Sequence, residues 1–159
     1  MCIEKTPWEQ VIDFHGETTA EIALGYRLAR IAMREMGTKP SPDSALLIKA
    51  EIHSGALDAF QVICQATVGR GTLQWENIGR HVYYFHYSGT DTLLCLTVSQ
   101  HIVARISDQS IYENRREKQL HTLQTIEHLL SAHEDDFCSI TFTPGHFGSF
   151  YTLSPTTGS

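Results

Sequence analysis

Asp13-Phe14-His15-Gly16-Glu17-Thr18-Thr19 decides how this chain turns back on itself. Residues with helical spacing lie on both sides of it, and Gly16 suits a chain that must bend sharply after a helix. Side chains at such a junction are held by two rigid elements. A second stretch, Glu51-Ile52-His53-Ser54, closes an apolar run and opens another helical pattern. The two stretches are expected to meet and form the site.

Upstream of the junction, residues 7–14 read as a short helix. Thr6 is its expected N-cap, with Pro7 at the first helical position and Glu9 three residues after the cap. Val11 and Phe14 form its apolar side. Downstream, residues 18–36 are the strongest helical pattern. Ile22, Tyr26, Ala29, Met33 and Met36 form one apolar stripe, and Leu24, Leu28 and Ile31 a second. A helix apolar on two sides is buried centrally or lies in a subunit contact. Gly25, Ala29 and Ala32 would let another backbone approach. Gly37 ends the helix, and Lys39-Pro40-Ser41-Pro42-Asp43 is a loop.

Residues 45–52 read as a central strand, because Leu46, Leu47, Ile48, Ala50 and Ile52 are apolar. Ser54 is the expected cap of a helix over residues 55–66. Leu57, Phe60 and Cys64 share one stripe of it, and Asp58, Gln61 and Gln65 share another. That polar stripe is either a solvated face or the lining of a pocket. Thr67-Val68-Gly69-Arg70-Gly71-Thr72-Leu73 is a tight turn whose amides and Arg70 could hold an anion, or a plain connection into a strand. Strands follow at 73–75, 82–87 and 92–98, with a turn at 77–79 and a hairpin loop at 88–91. Residues 102–106 are read with the strands. Residues 110–133 return to helix, with Leu120, Leu123, Ile126, Leu129 and Leu130 as the apolar face. Residues 138–143 alternate as a final strand.

The expected fold is therefore α+β: a mixed or antiparallel sheet packed against two or three helices. It forms a single domain over residues 1–153, with a small polar tail over 154–159. Sheet and helix do not alternate strictly, which argues against a doubly wound parallel fold. Composition bounds the function. A 42% hydrophobic content supports a real core, and a net charge of -6 argues against nucleic acid as a partner. No apolar run reaches membrane-spanning length, the N-terminus lacks a signal-peptide layout, and the expected location is cytoplasmic. No nucleotide-binding motif is present. Cys2, Cys64, Cys95 and Cys138 form no Cys-x-x-Cys pair, so a zinc ribbon is not expected. Cys64 and Cys95 read as small core residues.

Several blocks carry a family likeness: Phe14-His15-Gly16, Ala23-Leu24-Gly25-Tyr26-Arg27, Leu57-Asp58-Ala59-Phe60-Gln61, the 67–73 turn, and Gly79-Arg80-His81-Val82-Tyr83-Tyr84-Phe85. In this order and spacing, over about residues 7–98, the chain resembles the FmdE family of formylmethanofuran dehydrogenase components. The resemblance implies an α+β core, a tendency to dimerise and a cleft that can hold a metal. It also implies association with molybdenum or tungsten enzymes of one-carbon metabolism, or a stand-alone role. The chain departs from the family pattern at its thiolates. Glu17 stands where the family has a second His, and Thr19, Gly55 and Ala66 stand where it has Cys. The Cys-rich C-terminal zinc finger of some members is not expected from residues 1–159.

Zinc and nickel accept imidazole and carboxylate as well as thiolate. His15, Glu17 and His53 are the expected metal ligands, with Asp58 and Gln61 in support or lining the pocket. Alternatively, His15 is a helix-end residue near the C-terminal dipole and His53 a solvated loop residue. Three function classes follow. One is a divalent-metal-binding accessory or stand-alone protein. The second is a module that holds a small anion through Arg70 and Arg80. The third is a structural component docked on a larger oxidoreductase complex. The sequence names no catalytic residue. A homodimer is expected from the two-sided stripe over residues 18–36 and the aromatic strand over 82–87.

Overall fold

The computed structural model describes residues 4–37, 46–88, 90–108 and 110–145. The 39–43 loop, the start of the first strand at Ala45, Gly89 of the hairpin loop, Cys2 and the 154–159 tail lie outside the described residues.

The first helix, α1 (Pro7–His15), starts as its sequence predicts: the Glu9 amide donates to Thr6 Oγ1 at 3.2 Å. Gly16 ends it with φ 96°, a left-handed conformation that glycine adopts without steric cost. The chain then enters α2 (Ala20–Met36), capped by Thr19 and closed by Gly37 at φ 62°. Ile22, Ala23, Leu24, Gly25, Leu28, Ala29, Ile31, Ala32 and Met33 are all buried. Most of the two apolar stripes of α2 thus serve the interior of one chain. Gly25 shows how closely the interior is built. A Cβ there would lie 2.4 Å from Ala56 O, so the backbones of α2 and the following α3 (Ala56–Ile63) touch directly.

Five strands form one mixed sheet in the order β2-β1-β3-β4-β5. They are β1 (Leu46–Ala50), β2 (Leu73–Trp75), β3 (Val82–Tyr87), β4 (Thr92–Val98) and β5 (Cys138–Pro144). β1 and β2 are parallel, joined by the α3 crossover, and the other pairs are antiparallel. Ile48, Phe85 and Leu94 are register partners on one face, as are Ala50, Tyr83 and Leu96. That face belongs to the core shared with α2 and α3, and Phe60 of α3 packs edge-on to Tyr83 and Phe85, with ring centroids 5.3 and 5.5 Å away. The opposite face carries ion pairs. Lys49 meets Glu76 at 2.8 Å and Arg80 meets the buried Glu51 at 2.9 Å.

Two expectations are corrected. Residues 102–106 are not a strand but part of the helix α4 (Gln100–Ile106). Ile102, Val103 and Ile106 are β-branched and suggest a strand, yet their 1, 2, 5 spacing also makes one helical face. The 110–133 helix is shorter, α5 (Arg115–Ser131), with Asn114 as N-cap, and a single turn, α6 (Glu134–Phe137), follows. Ile126 and Leu129 of α5 are buried, but Leu120 and Leu123 are more than half exposed. The apolar face of α5 therefore covers only its C-terminal half. Among the described residues no helix is long and apolar enough to cross a membrane.

Candidate functional site

His15 is the last residue of α1, so Gly16 lets the chain fold back beside it. Its ring reaches across to α3, where Nδ1–H donates to Asp58 Oδ2 at 2.7 Å. Gln61, one turn further along α3, donates from Nε2 to Asp58 Oδ1 at 3.1 Å. The carboxylate is thus held on both oxygens. It fixes the imidazole and leaves Nε2 as the nitrogen available to a ligand, an arrangement common behind metal-bound and general-base histidines. The polar stripe of α3 lines this cleft through Asp58 and Gln61.

Glu21 forms the other side. It stands in the first turn of α2, and its Oε2 accepts from the Gly55 amide at 3.0 Å, at the start of α3. Gly55 has no side chain, and that opens a cradle. A Cβ built there would sit 3.0 Å from His15 Cε1 and 3.2 Å from Glu21 Oε2. An imidazole and a carboxylate therefore converge on one point, the point from which a side chain at position 55 would project.

The sheet supplies the far wall. Ser54 hydrogen-bonds Tyr83, and the Tyr83 hydroxyl is 2.9 Å from His81 Nδ1. Burial pushes the His81 pKa down, because the charged ring would lose hydration, and the nearby Glu21 carboxylate opposes that shift. The Tyr83 hydroxyl is pushed up, first by burial. Both groups are therefore neutral at pH 7.

The remaining candidates are exposed or paired with other side chains. His53 is exposed, its ring tilted against Trp75 with centroids 4.7 Å apart. Glu17 is exposed just past the Gly16 turn. Among the described residues no group of three or more His, Cys, Asp or Glu side chains is gathered as a metal site. Arg80 holds Glu51, its guanidinium 2.9 Å from Oε2 and 3.1 Å from Oε1. Arg70 is exposed, but the amides of its turn face inward. Those of Arg70, Thr72 and Leu73 donate to Thr67, and that of Gly71 donates to Val68 O. Sequence reasoning missed Glu21, His81 and Tyr83. Glu21 had the form of an acidic residue placed for the helix dipole. His81 and Tyr83 alternate as one face of a strand, a signal that was present in the Gly79-Arg80-His81-Val82-Tyr83 block.

Fold and site together define an α+β protein with a histidine–carboxylate cleft formed by three helices and a sheet. The family profile described as "FmdE, Molybdenum formylmethanofuran dehydrogenase operon" matches residues 14–139, so the chain belongs to the FmdE family. Among solved structures, the chain is similar to a tungsten formylmethanofuran dehydrogenase FmdE-like protein from Syntrophus aciditrophicus. The TM-score is 0.57 at 15% identity, over 95% of this chain and 76% of that one, a likeness of fold. No curated protein matches the sequence.

Proposed function

We propose that this FmdE-family protein binds one divalent cation, zinc or nickel, in the cleft over Gly55. It would serve as an accessory or stand-alone partner of molybdenum or tungsten oxidoreductases in one-carbon metabolism. The observation that carries this reading is the 2.7 Å pair of His15 and Asp58 beside Glu21. The donor chemistry fits: an imidazole with a carboxylate behind it and a second carboxylate across the cradle are acceptable to either metal. His15 and Glu21 would hold the ion, and Glu17 and His53 are the expected additional donors. A bound cation would supply Lewis acidity and a more acidic water at the open position. The chain's own residues hold the His15 tautomer through Asp58, screen one wall with neutral His81 and Tyr83, and tie the start of α3 to α2 through Glu21.

Metal analysis tests this. Protein purified without a histidine tag and exposed to zinc or nickel is expected to retain about one ion per chain after gel filtration. His15→Ala should lose it, and Asp58→Asn should weaken binding roughly 10- to 100-fold. A metal-free wild type would favour the second reading, a binding module without a metal. That reading is supported by Gly55, Thr19 and Ala66 at the family's Cys positions. Its ligand would be a small anion, for which the exposed Arg70 is the first contact and Arg80 the second.

A further inference from the structure

A second cleft, of about 480 Å³, lies where α2 meets the end of α5 and the start of α6. It shares no residue with the cradle over Gly55, and all of its lining residues are described. α2 supplies Arg27, Arg30 and Arg34, which recur at the spacing of one helix face, together with Tyr26 and Ile31. Leu130 and Glu134 close the other side. Three guanidiniums thus face one carboxylate, on a chain whose net charge is -6. A concave site of one sign gathers ions of the other.

The three arginines are held differently. Arg34 is neutralised: it meets both oxygens of Glu134, one of them at 2.7 Å, and Glu35 at 2.8 Å. Arg27 gives its bonds to the Leu129 and Ala132 carbonyls, and Arg30 donates to Tyr26 Oη at 2.7 Å. Neither of these two is paired with a carboxylate among the described residues, so two positive charges stay unmatched. Arg27 is committed to its carbonyls and contributes field. Arg30 is exposed and lies 5.5 Å over the Tyr26 ring, which packs in turn on Trp8 at 5.3 Å. Stacking on a fixed ring pre-organises the planar fork that matches an oxyanion. Tyr26 Oη accepts from Arg30, and its own O–H remains a donor.

We propose that this cleft binds a dianionic phosphate group, with Arg30 as its anchor and Tyr26 as the second donor. Two unmatched guanidinium charges fit a dianion. The volume lies within the range of small-molecule sites, roughly 300–1,000 Å³, and exceeds what a bare oxyanion fills. The room favours a phosphate carried on a small organic body lying over Ile31 and Leu130. This inference is independent of cation binding over Gly55.

Phenyl phosphate and inorganic phosphate are the probes, titrated calorimetrically into the full chain at neutral pH and low salt. Phenyl phosphate should bind once per chain. Arg30→Met should weaken it roughly 10- to 100-fold, the worth of a charge-assisted bond. Arg30→Lys should recover only part of that loss, because an ammonium keeps the charge without the fork. Tyr26→Phe should weaken binding roughly 2- to 10-fold. The Arg30 variants should keep the wild-type circular-dichroism spectrum and the wild-type retention of zinc or nickel. Arg116→Met removes the same charge from the exposed start of α5 and should leave the affinity within about twofold. Tighter binding of phenyl phosphate than of inorganic phosphate assigns the cleft to a phosphate ester, and equal binding assigns it to free phosphate. The proposal is overturned by a wild type that takes up neither probe at about 1 mM, by an Arg30→Met protein that binds as well as wild type, or by an Arg116→Met protein that loses as much as Arg30→Met.

Discussion

At the scale of single residues, two glycines on facing elements do different work. Gly25 lets α2 touch α3, and a methyl there would meet the Ala56 backbone, which cannot swing aside. Gly25→Ala should therefore destabilise the protein by about 1–3 kcal/mol in urea denaturation. Gly55→Ala should cost less, because its new methyl meets the ends of the His15 and Glu21 side chains, but it should impair cation binding by filling the cradle. His81 gives a pH signature. Its folded pKa is depressed by burial, so between that pKa and 6.5 the unfolded chain binds the extra proton. Stability should fall as pH drops below 6.5, and the fall should be shallower in His81→Gln, as followed by the thermal midpoint from pH 7.5 to 5. His128 is shifted in the same direction, by burial and by Arg105, so some slope will remain. The cysteines add no such signature near neutrality: burial holds the Cys64 thiol at about 12 and the Cys138 thiol at about 11. His15 and Asp58 could be read from the sequence because they sit at a helix end and on a polar helix stripe. Glu21 could not, because its role depends on α3 starting against α2, a contact that no local pattern encodes.

At the scale of elements, the helices announced by both caps had legible ends, and those read from apolar spacing alone were placed with looser ends. α1 and α2 start at Thr6 and Thr19 and end at Gly16 and Gly37, all visible in sequence. Thr6→Ala removes the α1 cap and should cost about 1 kcal/mol. α4 misleads because its β-branched residues satisfy either period, and Ser99 before it makes no side-chain cap. α5 is held in a way that hydrophobic spacing could not reveal. Arg27 of α2 donates to Leu129 O and Ala132 O, each at 2.8 Å, and its guanidinium lies 4.8 Å over the Phe137 ring. One side chain thus closes the C-terminal carbonyls of α5 and packs on α6. Arg27→Met keeps much of the stem volume and loses both bonds. It should destabilise the fold by about 3 kcal/mol, with the loss read as a lower urea midpoint at unchanged slope.

At the scale of the molecule, stability is distributed unevenly, and hydrogen exchange should show it. The core joins α2, α3 and one face of β1, β3 and β4, where Leu24, Leu28, Ile48, Phe60, Tyr83, Phe85 and Leu94 are almost wholly buried. These strands are interior to the sheet, so each of their backbone ladders is protected on both sides. Amides there can exchange only when the whole chain opens. α5 differs along its length. Its last turns carry Ile126 and Leu129 in the core and end on the Arg27 clamp. Its first turns expose Leu120 and Leu123 and begin in a solvated run, Arg115-Arg116-Glu117-Lys118, held by the Asn114 cap at 2.9 Å. Helix bonds without a buried face have little beyond propensity to keep them closed. Amides at the start of α5 should therefore exchange orders of magnitude faster than those of 126–131, and the slowest set should fall in α2, β1, β3 and β4. Arg27→Met should accelerate exchange across the second half of α5 far more than in β1. If 126–131 instead kept pace with the sheet in that variant, the clamp would not be what joins α5 to the core.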